Sequence, residues 1–346
     1  MLANYPLHPD FAAKYSLGEE LGSGGFGFAV SAYERQTGVE RAVKFILRHR
    51  VPAHAWVFDT QLGTVPMEVF VLKNVSHPNI IQYIDFYQDT TFLYLVMELH
   101  GTQWTAAAAA ATTTTSSSPS TASIPAPPSP ALSQLSDDSS CSSSSLSSTS
   151  TSAWPDIDVH ANPRLFVRRT SCDLFECIEH HRSFNEPLGR HIFRQIAECV
   201  GYLDRLGVCH RDLKDENIVI DDQYRVKIID FGSTVLLPRH EERQQHPVYF
   251  NKFYGTVSFA SPEIILQQPY RAEPAEVWAL GVLLYTILFG EVPFQDAPST
   301  IYYSFVPPRT QVSPECYHLI SWMLEKHPER RPTIYQVLSH PWLNTI

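Results

Sequence analysis

The tract from Thr102 to Ser152 interrupts the chain and consists almost wholly of Ser, Thr, Ala and Pro. Such a composition cannot bury enough apolar surface to offset the entropy of ordering, so it predicts disorder. The run Ala106–Ala111 within it is too short to persist as a helix in water. Residues 153–170 regain a few apolar side chains but are more typical of a linker. A disordered insertion is therefore predicted at residues 102–170, and a folded core must come from the residues on either side.

The two sides of this tract differ in their periodicity. Before it, apolar and alternating runs predict five strands, with one helix between the third and the fourth. The strands are expected at 15–21, 27–33, 40–46, 81–87 and 92–98, and the helix at 66–74. After the tract, a capped helix start at 185–187 is followed by an apolar repeat of three or four residues up to Leu203. Further helices are predicted at 274–288 and 316–324. The chain is thus expected to be an α+β protein.

Composition excludes several classes of function. The formal net charge of −10 argues against a nucleic-acid binder, whose affinity comes mainly from Lys and Arg. The sequence has no leader-like start and no run of eighteen apolar residues, so we expect no membrane partner. We expect a monomeric cytoplasmic protein, with a nuclear location left open. Its six cysteines follow no metal-binding spacing and are expected to be reduced thiols.

A glycine-rich segment, LGSGGFGFAV at residues 21–30, places Gly22, Gly24 and Gly27 in a G-x-G-x-x-G pattern. Glycines in such a turn let backbone N–H groups approach phosphates without a Cβ in the way. The pattern alone is weak, because a glycine-rich hairpin without a ligand fits equally well. A Rossmann site is excluded because no helix pattern follows. Lys44, on an apolar strand shortly beyond, favours the phosphate-binding hypothesis.

The strongest chemical signal is HRDLKDENIVI at residues 210–220, followed by IIDFGS at residues 228–233. Phosphoryl transfer requires a carboxylate to orient the attacking hydroxyl, a cation beside the phosphoryl group and oxygen ligands for Mg²⁺. The residues that supply these groups are Asp212, Lys214, Asn217 and Asp230. An ordinary polar turn is not expected to carry all four at these spacings. The sequence therefore predicts a phosphotransferase that uses ATP and Mg²⁺.

Together these motifs resemble those of eukaryotic protein kinases, from about Tyr15 to Trp342 apart from the tract. The resemblance implies a bilobal fold, with a small antiparallel-sheet N-terminal lobe carrying one main helix and a larger, mainly helical C-terminal lobe. The implied division is an N-terminal extension at 1–14, the first lobe and hinge at 15–101, the insertion at 102–170 and the second lobe at 171–346.

Several segments are most similar to the catalytic domain of PAS-domain-regulated serine/threonine kinases (PAS kinase). These segments are KFILRHR, DLFECIEHH, HIFRQIAECVGYL, HRDLKDENIVI and EVWALGVLLYTILFGEVPF. The more discriminating positions are Asp215, where proline is commoner, and Glu276, where most kinases have aspartate. A generic kinase of the calmodulin-dependent group stays open as an alternative.

The resemblance also implies roles for individual residues. The catalytic residues would be Asp212 as the orienting base, Lys214 as the charge stabiliser, Asn217, and Lys44 with its helix partner Glu68. Asn217 and Asp230 would hold the metal ions. The other residues implied at the ATP site are Leu21, Gly22, Ser23, Gly24, Gly25, Phe26, Gly27, Ala29, Ala42, Met97, Glu98, His100 and Val219. Outside this set, Thr256 is expected to brace Asp212, and Glu263 is expected to pair with Arg331.

The segment between Val235 and Gly255 contains no Ser or Thr, so loop phosphorylation of the common kind has no acceptor there. We hypothesise that the enzyme is active without such a phosphate. Glu241 and Glu242 are candidate carboxylates for Arg211, whose usual partner in phosphorylated kinases is the loop phosphate. Tyrosine phosphorylation in the same segment stays open.

The predicted function is a serine/threonine protein kinase that transfers the ATP γ-phosphoryl group to protein substrates. Glu216 and Asp173 are expected to receive basic residues upstream of the target hydroxyl, although a helix-start acid would have the same sequence. The alternative function is a pseudokinase or ATP-binding scaffold. Two features favour that alternative: Ala29 replaces the usual valine over the adenine, and the insertion adjoins the adenine pocket. A mis-assigned coding segment would also explain the insertion.

Overall fold

A computed structural model describes residues 2, 5–104, 172–238, 240–305 and 312–344. Residues 105–171 lie outside the described residues, and they include most of the predicted insertion at 102–170, so its disorder stays a prediction. The boundaries of the N-terminal extension, the two lobes and the insertion also stay predictions.

The first part of the chain forms a five-stranded antiparallel sheet. Its strands are β1 (Tyr15–Gly24), β2 (Gly27–Glu34), β3 (Glu40–Leu47), β6 (Tyr83–Gln88) and β7 (Phe92–Glu98). Their order across the sheet is β1-β2-β3-β7-β6. One helix, α2 (Met67–Asn74), lies between the third and fourth of these strands in sequence. The five predicted strands and the predicted helix are thus confirmed, with their ends shifted by a few residues.

A hairpin that the sequence analysis missed lies between β3 and α2. Its strands are β4 (Trp56–Asp59) and β5 (Gly63–Pro66). The Asp59 carboxylate accepts from the backbone N–H groups of Gln61 (2.9 Å) and Leu62 (2.8 Å), which fixes the turn. It also accepts from Lys73 Nζ on α2, at 2.6 Å. Lys73 and the turn N–H groups lower the pKa of Asp59 to about 2, so the hairpin is tied to α2 by an ionised carboxylate.

The outer face of the sheet is covered by residues from the predicted N-terminal extension. They include α1 (Pro9–Lys14), a second element that the sequence analysis missed. Phe11 on α1 is fully buried, with its ring 5.3 Å from that of Tyr15 and 6.0 Å from that of Phe45. Lys14 Nζ bonds Asp85 on β6 at 2.7 Å. This segment is therefore part of the core of the first lobe.

The second part of the chain is mainly helical. Its helices are α3 (Leu174–His181), α4 (Glu186–Arg205), α5 (His240–Gln245), α6 (Pro262–Ile265), α7 (Ala272–Phe289), α8 (Ala297–Tyr302), α9 (Pro314–Met323), α10 (Ile334–Leu338) and α11 (Pro341–Asn344). Short strands β8 (Val208–Cys209), β9 (Ile218–Ile220), β10 (Val226–Ile228) and β11 (Val235–Leu236) pair as β11-β8 and β10-β9. The predicted helices are confirmed as α4, α7 and α9, and the bilobal α+β architecture is confirmed with them.

Local signals explain the ends and the burial of these helices. The Asn185 side chain caps α4 by accepting from the backbone N–H of Leu188 at 3.0 Å, with Pro187 in the first turn.

By length and composition α7 could span a membrane, but 78% of it is buried inside the protein, where its apolar residues form the core of the second lobe. The five described cysteines form no disulfide, as expected for reduced thiols.

The two ends of the undescribed segment 105–171 meet at one residue of β9. The backbone N–H of Thr102 donates to the carbonyl of Ile220 at 3.0 Å, and the N–H of Ile220 donates to the carbonyl of Cys172 at 2.9 Å. Gly101 makes this approach possible, because it has φ +104° and a Cβ there would lie 2.6 Å from that of Cys172. The described residues on the two sides of this segment therefore contact the same residue, Ile220.

Trp104, the last described residue before this gap, lies against the second lobe. Its ring is 5.3 Å from that of His181 and 6.3 Å from that of Tyr224. Thr102 adds a side-chain contact, since its Oγ1 accepts from the backbone N–H of Asp222 at 3.0 Å. Residues 102–104 are thus held against the C-terminal lobe.

Candidate active site

A cleft of about 680 Å³ lies between the sheet and the helical lobe. Every residue that the sequence analysis assigned to the ATP site or to catalysis lines it. These residues are Leu21, Gly22, Ser23, Gly24, Gly25, Phe26, Gly27, Ala29, Ala42, Lys44, Glu68, Met97, Glu98, His100, Asp212, Lys214, Asn217, Val219 and Asp230. The fold therefore brings into one cleft residues that are up to 209 positions apart, from Leu21 to Asp230.

The sequence analysis missed some of the lining. Ile81, Ile229 and Phe175 add apolar surface, and Cys172 lies beside the hinge. Ile229 could have been found, because it directly precedes Asp230 in the IIDFGS motif. Cys172 gave no signal, since more than sixty residues separate it from the hinge in sequence.

The glycine-rich turn forms one wall of the cleft, between β1 and β2. A Cβ at Gly27 would lie 1.9 Å from the carbonyl oxygen of Phe45, so only glycine lets β2 pack on β3 there. A Cβ at Gly22 or Gly24 would meet nothing within 4 Å, so these positions leave space over the cleft. That space suits backbone N–H groups that approach a phosphate.

Ala29 lines the cleft, but the next residue does not replace its missing apolar bulk. Val30 is buried on the opposite face of the sheet, in the core that contains Phe11 and Phe45. Consecutive residues of a strand point to opposite faces, so Val30 cannot reach the cleft. The loss of apolar contact expected at Ala29 is therefore not compensated by its neighbour.

A cluster of three charges lies at the back of the cleft. Lys44 Nζ bonds both carboxylate oxygens of Glu68, at 2.7 and 2.9 Å, and Asp230 Oδ1 at 2.8 Å. Burial opposes the charge on Lys44, but Asp230 and Glu68 raise its pKa above the usual value. Burial likewise acts to raise the pKa of Asp230, but Lys44 outweighs it and keeps that pKa low. The predicted partnership of Lys44 and Glu68 is thus present as a contact.

The Asp212 carboxylate is held from two sides. Its Oδ1 accepts from the backbone N–H and from Oγ1 of Thr256, both at 2.9 Å, as predicted. Its Oδ2 accepts from Asn217 Nδ2 at 3.1 Å. Lys214 Nζ, on the same loop, bonds Glu216 Oε2 at 2.5 Å. Asp212 therefore has a fixed orientation in the cleft, with a cation two residues away.

Buried Glu276 on α7 supports the loop that carries Asp212. Its Oε1 accepts from the backbone N–H groups of His210 (2.7 Å) and Arg211 (3.2 Å). His210 Nε2 in turn bonds the carbonyl of Ile229 at 3.0 Å. Burial raises the pKa of Glu276 to about 7, although these N–H groups favour its charged form. The core helix thus fixes the backbone beside Asp212.

A second buried contact joins the start of α6 to the segment before α10. Arg331 Nη1 and Nη2 bond the two carboxylate oxygens of Glu263, each at 2.7 Å. The other nitrogen contacts of Arg331 go to the carbonyls of Glu325, Pro274 and Lys326, at 2.7 to 3.1 Å. The predicted Glu263–Arg331 pair is confirmed.

The family model described as "Protein kinase domain" matches residues 15–122 and 163–343. These ranges contain the glycine-rich turn, the Lys44 cluster and the Asp212 loop, and they cover well over half of the chain. The chain belongs to the protein kinase family.

Relatives of this chain occur in several organisms. It is 33% identical over 334 residues to the "PAS domain-containing serine/threonine-protein kinase" of Mus musculus, covering 96% of this chain and 19% of that protein. It is 29% identical over 348 residues to "Serine/threonine-protein kinase ppk6" of Schizosaccharomyces pombe, covering 99% of this chain and 35% of that protein. It is 27% identical over 345 residues to "Serine/threonine-protein kinase pim-2" of Danio rerio, covering 96% of this chain and 86% of that protein. The chain thus spans only part of the first two.

In this chain, Arg211 of the His-Arg-Asp motif lies among aromatic rings. Its guanidinium is 4.7 Å from the ring centroid of Phe250, and the rings of Tyr254 and Tyr270 are within 6 Å. Its Nη2 donates to the carbonyl of Lys252 at 2.6 Å and to the Tyr270 hydroxyl. Cation–π contacts and carbonyl acceptors stabilise a guanidinium without a counter-charge.

Two carboxylates, those of Glu241 and Glu242, were expected to pair with Arg211. Glu242 is exposed and does not pair with it, so that expectation was wrong, and the side chain of Glu241 lies outside the described residues. The helix α5 that carries both is held in another way. Arg243 is buried and donates to the Asp204 carboxylate and to the Asp204 carbonyl, each at 3.0 Å. The segment between Val235 and Gly255, which corresponds to the activation segment of protein kinases, is thus anchored on the C-terminal end of α4.

Proposed function

We propose that this chain is an active serine/threonine protein kinase that transfers the γ-phosphoryl group of Mg·ATP to a protein hydroxyl. The observation that carries the proposal is the single cleft in which the Lys44–Glu68–Asp230 cluster faces a doubly braced Asp212. A cleft that only bound nucleotide would not require the bonds from Thr256 and Asn217 that fix Asp212.

The residues present suit Mg²⁺. Asn217 Nδ2 donates to Asp212, which leaves its Oδ1 to act as a metal ligand, and Asp230 supplies a carboxylate. The described residues contain no cluster of three or more His, Cys, Asp or Glu side chains that could hold a metal ion. That agrees with Mg²⁺, which is commonly bound by one or two carboxylates together with substrate phosphates. When bound there, Mg²⁺ would neutralise charge on the phosphate oxygens.

Each of the chain's own catalytic groups would then have a separate role in the reaction. Lys44, held by Glu68, would bind the α and β phosphates, and the glycine-rich turn would cover them with backbone N–H groups. Asp212 would accept a hydrogen bond from the substrate hydroxyl and aim its oxygen at the γ-phosphorus. As the new P–O bond forms, the bond between the γ-phosphorus and the β–γ bridging oxygen would break, ADP would leave and Asp212 would take the hydroxyl proton. Lys214 would lie beside the transferring group and stabilise its charge.

The first experiment is ATP-dependent phosphorylation of a panel of peptides by the purified chain and by Asp212→Asn. We expect the wild-type chain to transfer phosphate and Asp212→Asn to be about 10²- to 10⁴-fold slower, because the hydroxyl loses its base. ATP binding by both proteins without transfer by either would contradict the proposal and support the scaffold alternative.

A second variant tests the insertion. Residues 105–171 are replaced by a short Gly-Ser linker between Trp104 and Cys172, which keeps the contacts of both ends with Ile220. Because these ends already meet, we expect the variant to fold and its KM for ATP to stay within a few-fold of the wild-type value. A variant that is active when the full chain is not would identify the segment as an inhibitor.

We further propose that the substrates carry basic residues upstream of the target hydroxyl. Three acidic side chains, Asp173, Glu176 and Glu216, line the same cleft, and Glu216 already binds a cation, Lys214. An incoming guanidinium would form charge-assisted bonds of the same type. Peptides with arginine replaced by alanine at each upstream position should show raised KM. Rates that are indifferent to arginine at every position would contradict this preference.

A further inference from the structure

The turn before the β4–β5 hairpin contacts the activation segment directly. His54 lies in this turn, and Tyr254 lies two residues before Thr256. Their ring centroids are 4.8 Å apart, with an interplanar angle of 30°. Aromatic rings at such separations attract one another beyond the area they bury. The contact joins the two lobes at a point separate from the hinge.

On the N-terminal side, His54 is coupled to α2. The turn Ala53–Ala55 runs straight into β4, and β5 runs straight into α2. The hairpin is also held on that helix by the Asp59–Lys73 bond of 2.6 Å. Glu68 lies in the first turn of α2. A movement of α2 that separates Glu68 from Lys44 would therefore displace the hairpin and His54.

On the C-terminal side, Tyr254 is coupled to the catalytic loop. Its carbonyl accepts from Ser233 Oγ at 3.3 Å, and its ring lies 5.8 Å from the Arg211 guanidinium. The following residue, Gly255, has no spare room, because a Cβ there would lie 2.6 Å from the carbonyl oxygen of Arg211. Thr256 comes next and binds Asp212. A displacement of Tyr254 would therefore reach the Asp212 carboxylate.

We propose that His54 and Tyr254 are positioning residues for phosphoryl transfer. The contact between their tilted rings holds α2 and the activation segment in the one arrangement in which the Lys44–Glu68 and Asp212–Thr256 contacts are both made. Because the segment from Val235 to Gly255 has no Ser or Thr to carry a phosphate, a ring contact joins the two elements instead. This inference rests on the proposed kinase activity. It adds that the activity requires the contact between the rings of His54 and Tyr254.

The kinetic test compares Tyr254→Ala, His54→Ala and the double variant with Tyr254→Phe, which keeps the ring. We expect each single alanine variant to lower kcat about 2- to 10-fold, with a smaller change in KM for ATP. The double variant should be no slower than the slower single variant, because both remove the same contact. Tyr254→Phe should keep wild-type kcat. Multiplicative losses in the double variant, or a loss in Tyr254→Phe equal to that of Tyr254→Ala, would overturn the proposal.

Two matched controls test whether any change in these segments slows the enzyme. Tyr249 lies in the same segment as Tyr254 and is 58% exposed, and His49 is an exposed histidine in the turn Arg48–Arg50, which precedes the turn that carries His54. Tyr249→Ala and His49→Ala should keep wild-type kcat. Equal losses in the controls and in the test variants would show that the His54–Tyr254 contact is not the cause.

Hydrogen exchange gives a readout that does not depend on activity. In Tyr254→Ala we expect faster amide exchange in the peptide covering residues 53–66, although the substitution lies in the other lobe. His54→Ala should have the reciprocal effect on residues 252–259. Unchanged exchange in both regions would overturn the inference. If the wild-type chain transfers no phosphate, the proposed function fails, while this exchange comparison still decides whether the rings join the lobes.

Discussion

The Glu263–Arg331 ion pair offers a direct test of how much one buried contact stabilises the C-terminal lobe. Both side chains are almost fully buried, with 7% of Glu263 and 0% of Arg331 exposed. Replacing Arg331 by Met keeps most of the apolar stem but removes the guanidinium. Glu263 then stays buried without its cation, and three carbonyl oxygens lose their donor.

The size of the effect follows from this burial. Removing one partner of a buried ion pair costs about 3–5 kcal/mol, because the other charge is left uncompensated. In a folded unit of this size, 1 kcal/mol corresponds to roughly 2–4 °C in the midpoint of thermal unfolding. We therefore expect Arg331→Met to lower that midpoint by about 6–20 °C.

Differential scanning calorimetry of four proteins would measure this effect. Arg330→Met is the matched control, because Arg330 is exposed and forms no ion pair with a described residue. The double variant Glu263→Met/Arg331→Met removes both charges and should unfold at a higher temperature than Arg331→Met alone. The reasoning is refuted if Arg331→Met unfolds within 2 °C of Arg330→Met, or if the double variant unfolds at no higher temperature than Arg331→Met alone.

Three further predictions concern the cleft and its supports. The pKa of folded Glu276 is about 7, against 4.5 for the free carboxyl, so the folded state binds the extra proton and stability should fall as pH rises between these values. Glu276→Gln should flatten that slope in denaturant unfolding from pH 4.5 to 8, and an unchanged slope would show that Glu276 does not titrate there. Gly101→Ala should destabilise the fold by roughly 1 kcal/mol or more, because φ is +104° and the added Cβ meets Cys172; it should also raise the KM for ATP, and wild-type values in thermal unfolding and kinetics would contradict this. Thr256→Val should lower kcat about 10- to 100-fold, because Asp212 loses a hydrogen bond of roughly 1.5–3 kcal/mol, whereas Thr256→Ser should keep it and an equal loss in both would refute the role of the hydroxyl.

Local sequence patterns were sufficient to predict the strands and helices in which apolar residues recur with a clear period. The five strands of the sheet and helices α2, α4, α7 and α9 occur where alternation or a three-to-four repeat predicted them. The β4–β5 hairpin was missed because its strands have four residues each, too few for a period to be visible. Helix α1 has six residues and is stabilised mainly by Phe11 in the core, a tertiary contact that no local pattern reports.

The cleft was predictable for a different reason. Its chemical groups fall in short motifs, so Asp212, Asn217 and Asp230 could be assigned before their distances were known. The surroundings of Arg211 could not, because Phe250 and Tyr270 reach it from positions whose spacing carries no period. Sequence reasoning expected Glu241 or Glu242 there, since charge is the usual partner of an arginine. Among the side chains that the structure describes, Arg211 contacts rings, a carbonyl and a hydroxyl, and Glu242 does not pair with it. The contact between His54 and Tyr254 joins residues 200 positions apart and had no local signal.

The junction at Ile220 has a consequence for how this kinase can change over time. Because Thr102 and Cys172 bond the same residue, whatever sequence lies between them begins and ends at neighbouring points. Doubling the length of such a loop costs only about 0.6 kcal/mol of closure entropy, so its length and content can drift with little effect on the fold. The same junction is a graft site, beside the hinge, at which a reporter domain with adjacent termini can be inserted.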